Sequence, residues 1–137
     1  DERAQQSFSV ETAMTMHAVE IRTYNLKPGT RAVFDQRVHA EALPMLLRWK
    51  VDVVTCGCSP HDDDTYYLVR AYASLAAREQ SQDAFYSSAE WLDGPREGIV
   101  DLIASYTSVV LMLDDATLAG LRRAPVESAV IEAHAPG

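Results

Sequence analysis

Cysteine, basic charge and long apolar runs are what this sequence has least of. It holds two cysteines, Cys56 and Cys58, one residue apart. On one strand face, a disulfide between such neighbours would be badly strained. The chain therefore reads as a reduced, cytoplasmic protein. Twelve Lys and Arg stand against twenty Asp and Glu, a formal net charge of -8. That balance argues against nucleic acid, which needs a basic face, and against an anionic membrane surface. The longest strongly apolar run, residues 109–113, is far too short to cross a bilayer. The opening DERAQQSFSVETA has no apolar stretch of the kind a secretory signal carries, and residues 1–13 read as a leader or a cloning remnant. GxGxxG, P-loop, HExxH and GxSxG sequences are all missing, so no cofactor is expected.

What is present suits one compact domain. A length of 137 residues leaves little room for a second, and an apolar content of 47% is ordinary for a globular core. MHAVEIRTY, residues 16–24, alternates with the period of a strand. Pro28-Gly29 breaks it, and Thr30 is placed to cap a helix running to about residue 49, with Phe34, Val38, Leu43, Leu46 and Leu47 on its apolar stripe. Pro44 should kink that helix, because it lacks an N–H and crowds the preceding turn. Residues 51–58 and 65–73 read as two further strands joined by the turn formers of residues 59–64. A helix capped by Ser74 follows to about residue 88, anchored by Leu75 and Phe85. Asp93-Gly94-Pro95 breaks the chain again, residues 96–105 are weakly helical, and residues 106–113 form a fourth strand. Asp114 or Asp115 caps a short helix over residues 116–123, and the tail that follows, with Val130, Ile131 and His134, is ambiguous. The domain is expected over residues 14–115, with the short helix and tail over 116–137.

The order β-α-β-β-α-β is the α+β, ferredoxin-like plan, an antiparallel sheet with both helices on one face. Alternation sorts the strand residues into two sets. Val19, Ile21, Val69, Ala71, Val109 and Leu111 make an aliphatic set, expected under the helices. Glu20, Arg22 and Tyr24 share the other face with Tyr66, Leu68, Arg70 and Tyr72. A face so rich in tyrosine and arginine is a poor solvent face, and apolar area of that size marks an interface or a pocket. The expectation is that a second copy packs onto it, enclosing a cavity in a dimeric α+β barrel.

Several stretches resemble the NIPSNAP family. EIRTYNLKPG, residues 20–29, is similar to the opening strand and turn of that domain. Ala42-Leu43-Pro44 is similar to its mid-helix A-L-P, and YASLAAR, residues 72–78, with Phe85 and Glu90-Trp91, to its later Y-x-S-L-A-x-R…F…E-W run. The resemblance runs in order over about residues 18–113 and implies the dimeric α+β barrel. It supplies no reaction.

The candidate chemistry therefore comes from the residues. Glu20 could take a proton, Arg22 and Arg70 could hold an enolate or carboxylate, and Tyr24 and Tyr72 could donate to a developing oxyanion. His39, on the first helix, is a second candidate base. That set suits cofactor-independent acid–base chemistry on a small, partly apolar metabolite: cyclisation, isomerisation, elimination or oxygenation. The structural alternative is an ion-pair network, since buried charges must be paired whether or not they catalyse. A non-catalytic binding or interaction module is the second functional reading, and a haem protein through His39 is the third. His17 reads as a core or strand-end residue, and Trp49 and Trp91 as packing anchors. TCGCSPHDDDT, residues 55–65, carries metal-ligand residue types. Its spacing fits no standard zinc pattern, and at a hairpin tip Asp and Ser are turn chemistry, so no metal is assigned.

Overall fold

The computed structural model describes residues 15–123. The leader reading for residues 1–13, and the tail with Val130, Ile131 and His134, lie outside the described residues. Strands β1 (Met16–Leu26), β2 (Asp52–Cys58), β3 (Thr65–Tyr72) and β4 (Ile103–Asp114) form one antiparallel sheet in the order β2-β3-β1-β4. Helices α1 (Arg31–Arg37) and α2 (Leu43–Arg48) fill the first crossover, and α3 (Leu75–Tyr86), α4 (Ala89–Leu92) and α5 (Arg96–Val100) fill the second. This is the ferredoxin-like α+β plan. A last helix, α6, occupies residues 115–123. No helix among the described residues is long and apolar enough to cross a membrane.

The caps follow local chemistry. Ser74 Oγ accepts from the Ala77 amide at 3.0 Å and starts α3, and Asp114 Oδ1 accepts from the Thr117 amide at 2.8 Å and starts α6. Thr30 precedes α1 without capping it, because its hydroxyl donates to the Lys27 carbonyl instead. The kink expected at Pro44 is spread over a π-helical turn, Val38–Ala42, just ahead of it. There the Leu43 amide reaches back five residues to the Val38 carbonyl, and the wider turn makes room for a ring that would otherwise crowd the carbonyl four residues earlier. At the end of α2, Lys50 adopts φ +60°. The Val51 amide bonds the Leu46 carbonyl and the Lys50 amide the Leu47 carbonyl, which is the helix stop normally given to glycine.

Two expectations about extent are corrected. The helix read over residues 96–105 covers only Arg96–Val100, and β4 starts at Ile103, because the chain from there pairs with β1 (Leu26 with Ile103, Asn25 with Ser105). Leu75 is no anchor for α3: it is 55% exposed at the first position after the cap, while Phe85 is buried.

The larger correction concerns the two faces of the sheet. The cross-strand register puts Glu20 opposite Arg70, Arg22 opposite Leu68 and Tyr24 opposite Tyr66, so the expected set does share one face. That face lies under the helices. Ala18, Tyr24, Leu26, Tyr66, Leu68 and Tyr72 form one core with Phe34, Val38, Met45, Leu46, Phe85, Trp91 and Ile99. The aliphatic set looks outward: Val19, Val54, Val69 and Ala71 meet Leu118 of α6, with Leu121 packed against them. Val109 and Leu111 remain about half exposed. The helices bring aromatic rings to this core, among them Phe34, Phe85, Tyr86 and Trp91, with Phe34 5.0 Å from Tyr66 and 5.3 Å from Tyr24.

Candidate functional site

Glu20 is fully buried at the centre of β1. Its Oε1 accepts from Arg70 Nη2 at 2.6 Å, Arg70 Nε at 3.0 Å and Gln82 Nε2 at 2.9 Å. Its Oε2 accepts from Arg78 Nη2 at 2.7 Å and Arg22 Nη2 at 3.2 Å. Burial alone would raise the Glu20 pKa, but the Arg70 charge, with Arg78, Arg22 and Gln82, outweighs it and holds the carboxyl down at about 2. A carboxylate so acidic, with both oxygens occupied, does not fit the part of a general base near neutrality. It does fit that of a buried counter-ion. Arg70 is 1% exposed. Burial works against its cation, but the oxygens of Tyr86, Tyr72 and Glu20 outweigh it and its pKa is raised.

Beside this cluster the sheet and the second helical crossover part to leave a cleft of about 830 Å³, open at one side. Arg22 links the two. Its Nε donates to Ser108 Oγ at 3.0 Å, and its guanidinium lies 4.9 Å from the Tyr106 ring centre. Tyr86 is the second link, because its hydroxyl accepts from Arg70 Nη1 at 2.7 Å while its ring lines the cleft. Burial first, then the neighbouring Tyr86, raises the Tyr24 pKa against the pull of Arg70 and Arg22, so Tyr24 stays a neutral phenol able to donate. Tyr72 is likewise raised by burial, against Arg70 and Gln82, and its hydroxyl accepts from Gln82 Nε2 at 3.2 Å. A second, apolar recess of about 40 Å³ lies deeper, among Phe34, Val38, Leu46 and Leu68, and shares Tyr24, Tyr86, Trp91 and Ile99 with the cleft.

The structure thus gathers Glu20, Arg22, Tyr24, Arg70 and Tyr72, of which Arg22 and Tyr24 line the cleft. His39 stands apart. It is exposed on the π-helical turn, 3.3 Å from Asp35 of α1, and it lines neither cavity. The tyrosine-arginine face, expected to meet a second copy, is the helix-covered one, and the cleft beside it lies between sheet and helices of a single chain.

Several site residues escaped the sequence reading. Arg78, Gln82 and Tyr86 follow at intervals of four along α3, so one side of that helix is polar where it meets the sheet. That spacing is a signal which could have found them. Trp91, read as an anchor, both packs on Phe85 and lines the cleft. The turn after it is tight, since a Cβ at Gly94 would collide with the Glu90 carbonyl oxygen. This turn feeds Arg96 and Ile99 of α5 into the cleft wall, and Ser105 and Tyr106 of β4 complete it.

The hairpin of residues 59–64 is held by its own polar groups. Asp62 accepts from the Thr65 amide at 2.9 Å, the Asp64 amide at 3.1 Å and the Thr65 hydroxyl at 2.7 Å. Arg31 donates to the carbonyls of Ser59, Asp62 and Thr65. Among the described residues, no group of three His, Cys, Asp or Glu is placed to hold a metal ion.

Residues 19–113 match the NIPSNAP family. The fold is similar to that of a NIPSNAP family protein from Agrobacterium tumefaciens, at 18% identity over 72% of this chain and 87% of that one, with a TM-score of 0.65. It is similar also to an uncharacterised NIPSNAP-like domain protein from Burkholderia xenovorans, at 19% identity over 71% and 84%, TM-score 0.65. A further NIPSNAP family protein of unknown function from Agrobacterium tumefaciens aligns at 22% identity over 72% and 88%, TM-score 0.64. No curated protein matches significantly. With its family match spanning most of the sequence, and with the ferredoxin-like sheet and helices described above, the chain belongs to the NIPSNAP family.

Proposed function

We propose that the protein is a small enzyme that carries out acid–base chemistry, without a cofactor, on a partly apolar metabolite held in the cleft between sheet and helices. The observation that carries this reading is the cleft itself. It is about 830 Å³ in volume, one wall is aromatic and apolar, and the other is tied to a buried network of arginines and phenols. Pockets with a few convergent polar groups in an apolar lining are the usual sites of small-molecule binding. In this reading Glu20 does not abstract a proton. It fixes Arg70, Arg78 and Arg22 in place, and so is a positioning residue. Arg22 stabilises negative charge as it develops, and Tyr24 and Tyr86 donate to or orient the ligand. Asp83, the carboxylate on the cleft lining, is the group placed to accept a proton. Cyclisation, isomerisation, elimination and oxygenation all fit these roles.

A homodimer is part of the proposal, on the opposite face from the one first expected. The outward aliphatic face, with Val109 and Leu111 about half exposed, is the surface a second copy would cover. The non-catalytic reading uses the same cleft as a binding site with no turnover. The haem reading is not favoured, because the cleft lining holds no histidine.

Native mass spectrometry of the purified protein, beside an Ala104→Trp variant that sets an indole on the cleft wall, tests the site. A small molecule carried by the parent chain and lost from the folded variant is the expected result. Equal retention by both would move the site elsewhere. Loss of turnover in Asp83→Asn and Arg22→Met, with ligand still bound to the former, would then separate enzyme from binding module.

A further inference from the structure

The arginines outnumber the acid they surround. Arg22, Arg70 and Arg78 each direct a guanidinium nitrogen at Glu20, so one carboxylate answers three cations. Its oxygens already accept five hydrogen bonds, and the buried Nε of Arg78 has no partner. Excess buried charge is costly until an opposite charge meets it. Of the three cations, Arg22 is the one that lines the cleft. Its Nη1 has a long 3.5 Å contact with the Tyr86 hydroxyl, which leaves donor capacity toward the cavity. Its guanidinium lies 4.9 Å from the Tyr106 ring centre and 5.7 Å from that of Tyr86. Arg96 adds a second cation to the lining, against the single carboxylate of Asp83.

We infer that the ligand of the cleft is a planar organic anion, with a negative oxygen against Arg22 and a flat conjugated frame among Tyr86, Trp91 and Tyr106. The inference rests on the reading of the cleft as a ligand site and names the ligand's chemical class. A guanidinium is planar, permanently charged and able to present two N–H groups to one anion. Aromatic walls beside it accept a flat frame edge-on or offset-stacked. A neutral molecule of the same shape would fill the ring contacts and leave the charge uncompensated.

Two dyes of one shape test this: anilinonaphthalene sulfonate, and N-phenylnaphthylamine, which has the same rings without the sulfonate. Fluorescence titration of the full chain is expected to show the anionic dye binding about tenfold or more tighter, the scale of one charge-assisted hydrogen bond. Arg22→Met should bring that ratio to about one, Arg22→Lys should keep part of it, and Ala104→Trp should weaken both dyes. Equal affinity of the two dyes for the parent chain overturns the inference and leaves the cleft a ligand site. A preference for the anion that survives in folded Arg22→Met, or in Arg22→Lys unchanged alongside Ala104→Trp, also overturns it. Failure of both dyes to bind overturns the inference together with the reading beneath it.

Discussion

The two faces of this sheet reverse the ordinary division of labour. The face under the helices carries Glu20, Arg22 and Arg70, with three tyrosines. The face turned outward carries valine, isoleucine and leucine, and leaves Val109 and Leu111 half exposed. The buried face holds its charges together through one carboxylate, which takes five hydrogen bonds from Arg22, Arg70, Arg78 and Gln82. Among the described residues, the outer face is covered by Leu118 and Leu121 of α6. In the proposal made above, the polar face borders the ligand cleft and the aliphatic face is the one a second copy would cover.

The comparison breaks first at Glu20. Glu20→Ala leaves three arginines facing each other without an acid, and a loss of about 3–5 kcal/mol in urea unfolding is expected, the scale for stripping one partner from a buried ion pair. A loss below about 1 kcal/mol would mean that water already reaches the cluster. On the outer face, Leu111→Asp should convert a dimer to a monomer in light-scattering chromatography while leaving the chain folded, since no buried partner is lost. A parent chain that is already monomeric removes the role given to that face.

Acid provides a third contrast. The Glu20 pKa is depressed from its ordinary 4.5 to about 2 in the folded chain. Its contribution is fully present above pH 4.5 and fades as pH falls toward 2, amounting to roughly 3 kcal/mol at most. The stability of Glu20→Gln should therefore fall less steeply over that window than the parent's, as read by unfolding curves at several pH values. The smallest effect expected lies far from both faces. Lys50 holds φ +60° at the end of α2, and Lys50→Gly should raise stability by up to about 1 kcal/mol, seen as a modest rise in Tm.

Strand alternation made much of this visible. Period two in EIRTY and in the 66–72 stretch placed Glu20, Arg22, Tyr24, Arg70 and Tyr72 together, and the register pairs them as that pattern requires. Ser74, and one of Asp114 and Asp115, were readable as caps because a short polar side chain before an apolar run has few other uses there; the structure uses Ser74 and Asp114. Alternation says which residues share a face and is silent on which face the helices take. Aliphatic residues look like the natural partners for helices, and that inference failed because α1 and α3 bring Phe34, Phe85 and a polar edge of Arg78 and Gln82. The cleft was hidden for a related reason. Its walls come from α3, α5 and the start of β4, segments brought together only by tertiary packing, and residues 103–105 look weakly helical until they are paired with β1.

Native mass spectrometry of a Val109→Asp, Leu111→Asp double variant in the presence of anilinonaphthalene sulfonate tests the separation of the two faces most directly. The prediction is a monomer that still carries one dye per chain, since residues of one chain form the walls of the cleft. A variant that loses the dye on becoming monomeric, or that stays dimeric with both charges in place, would contradict it.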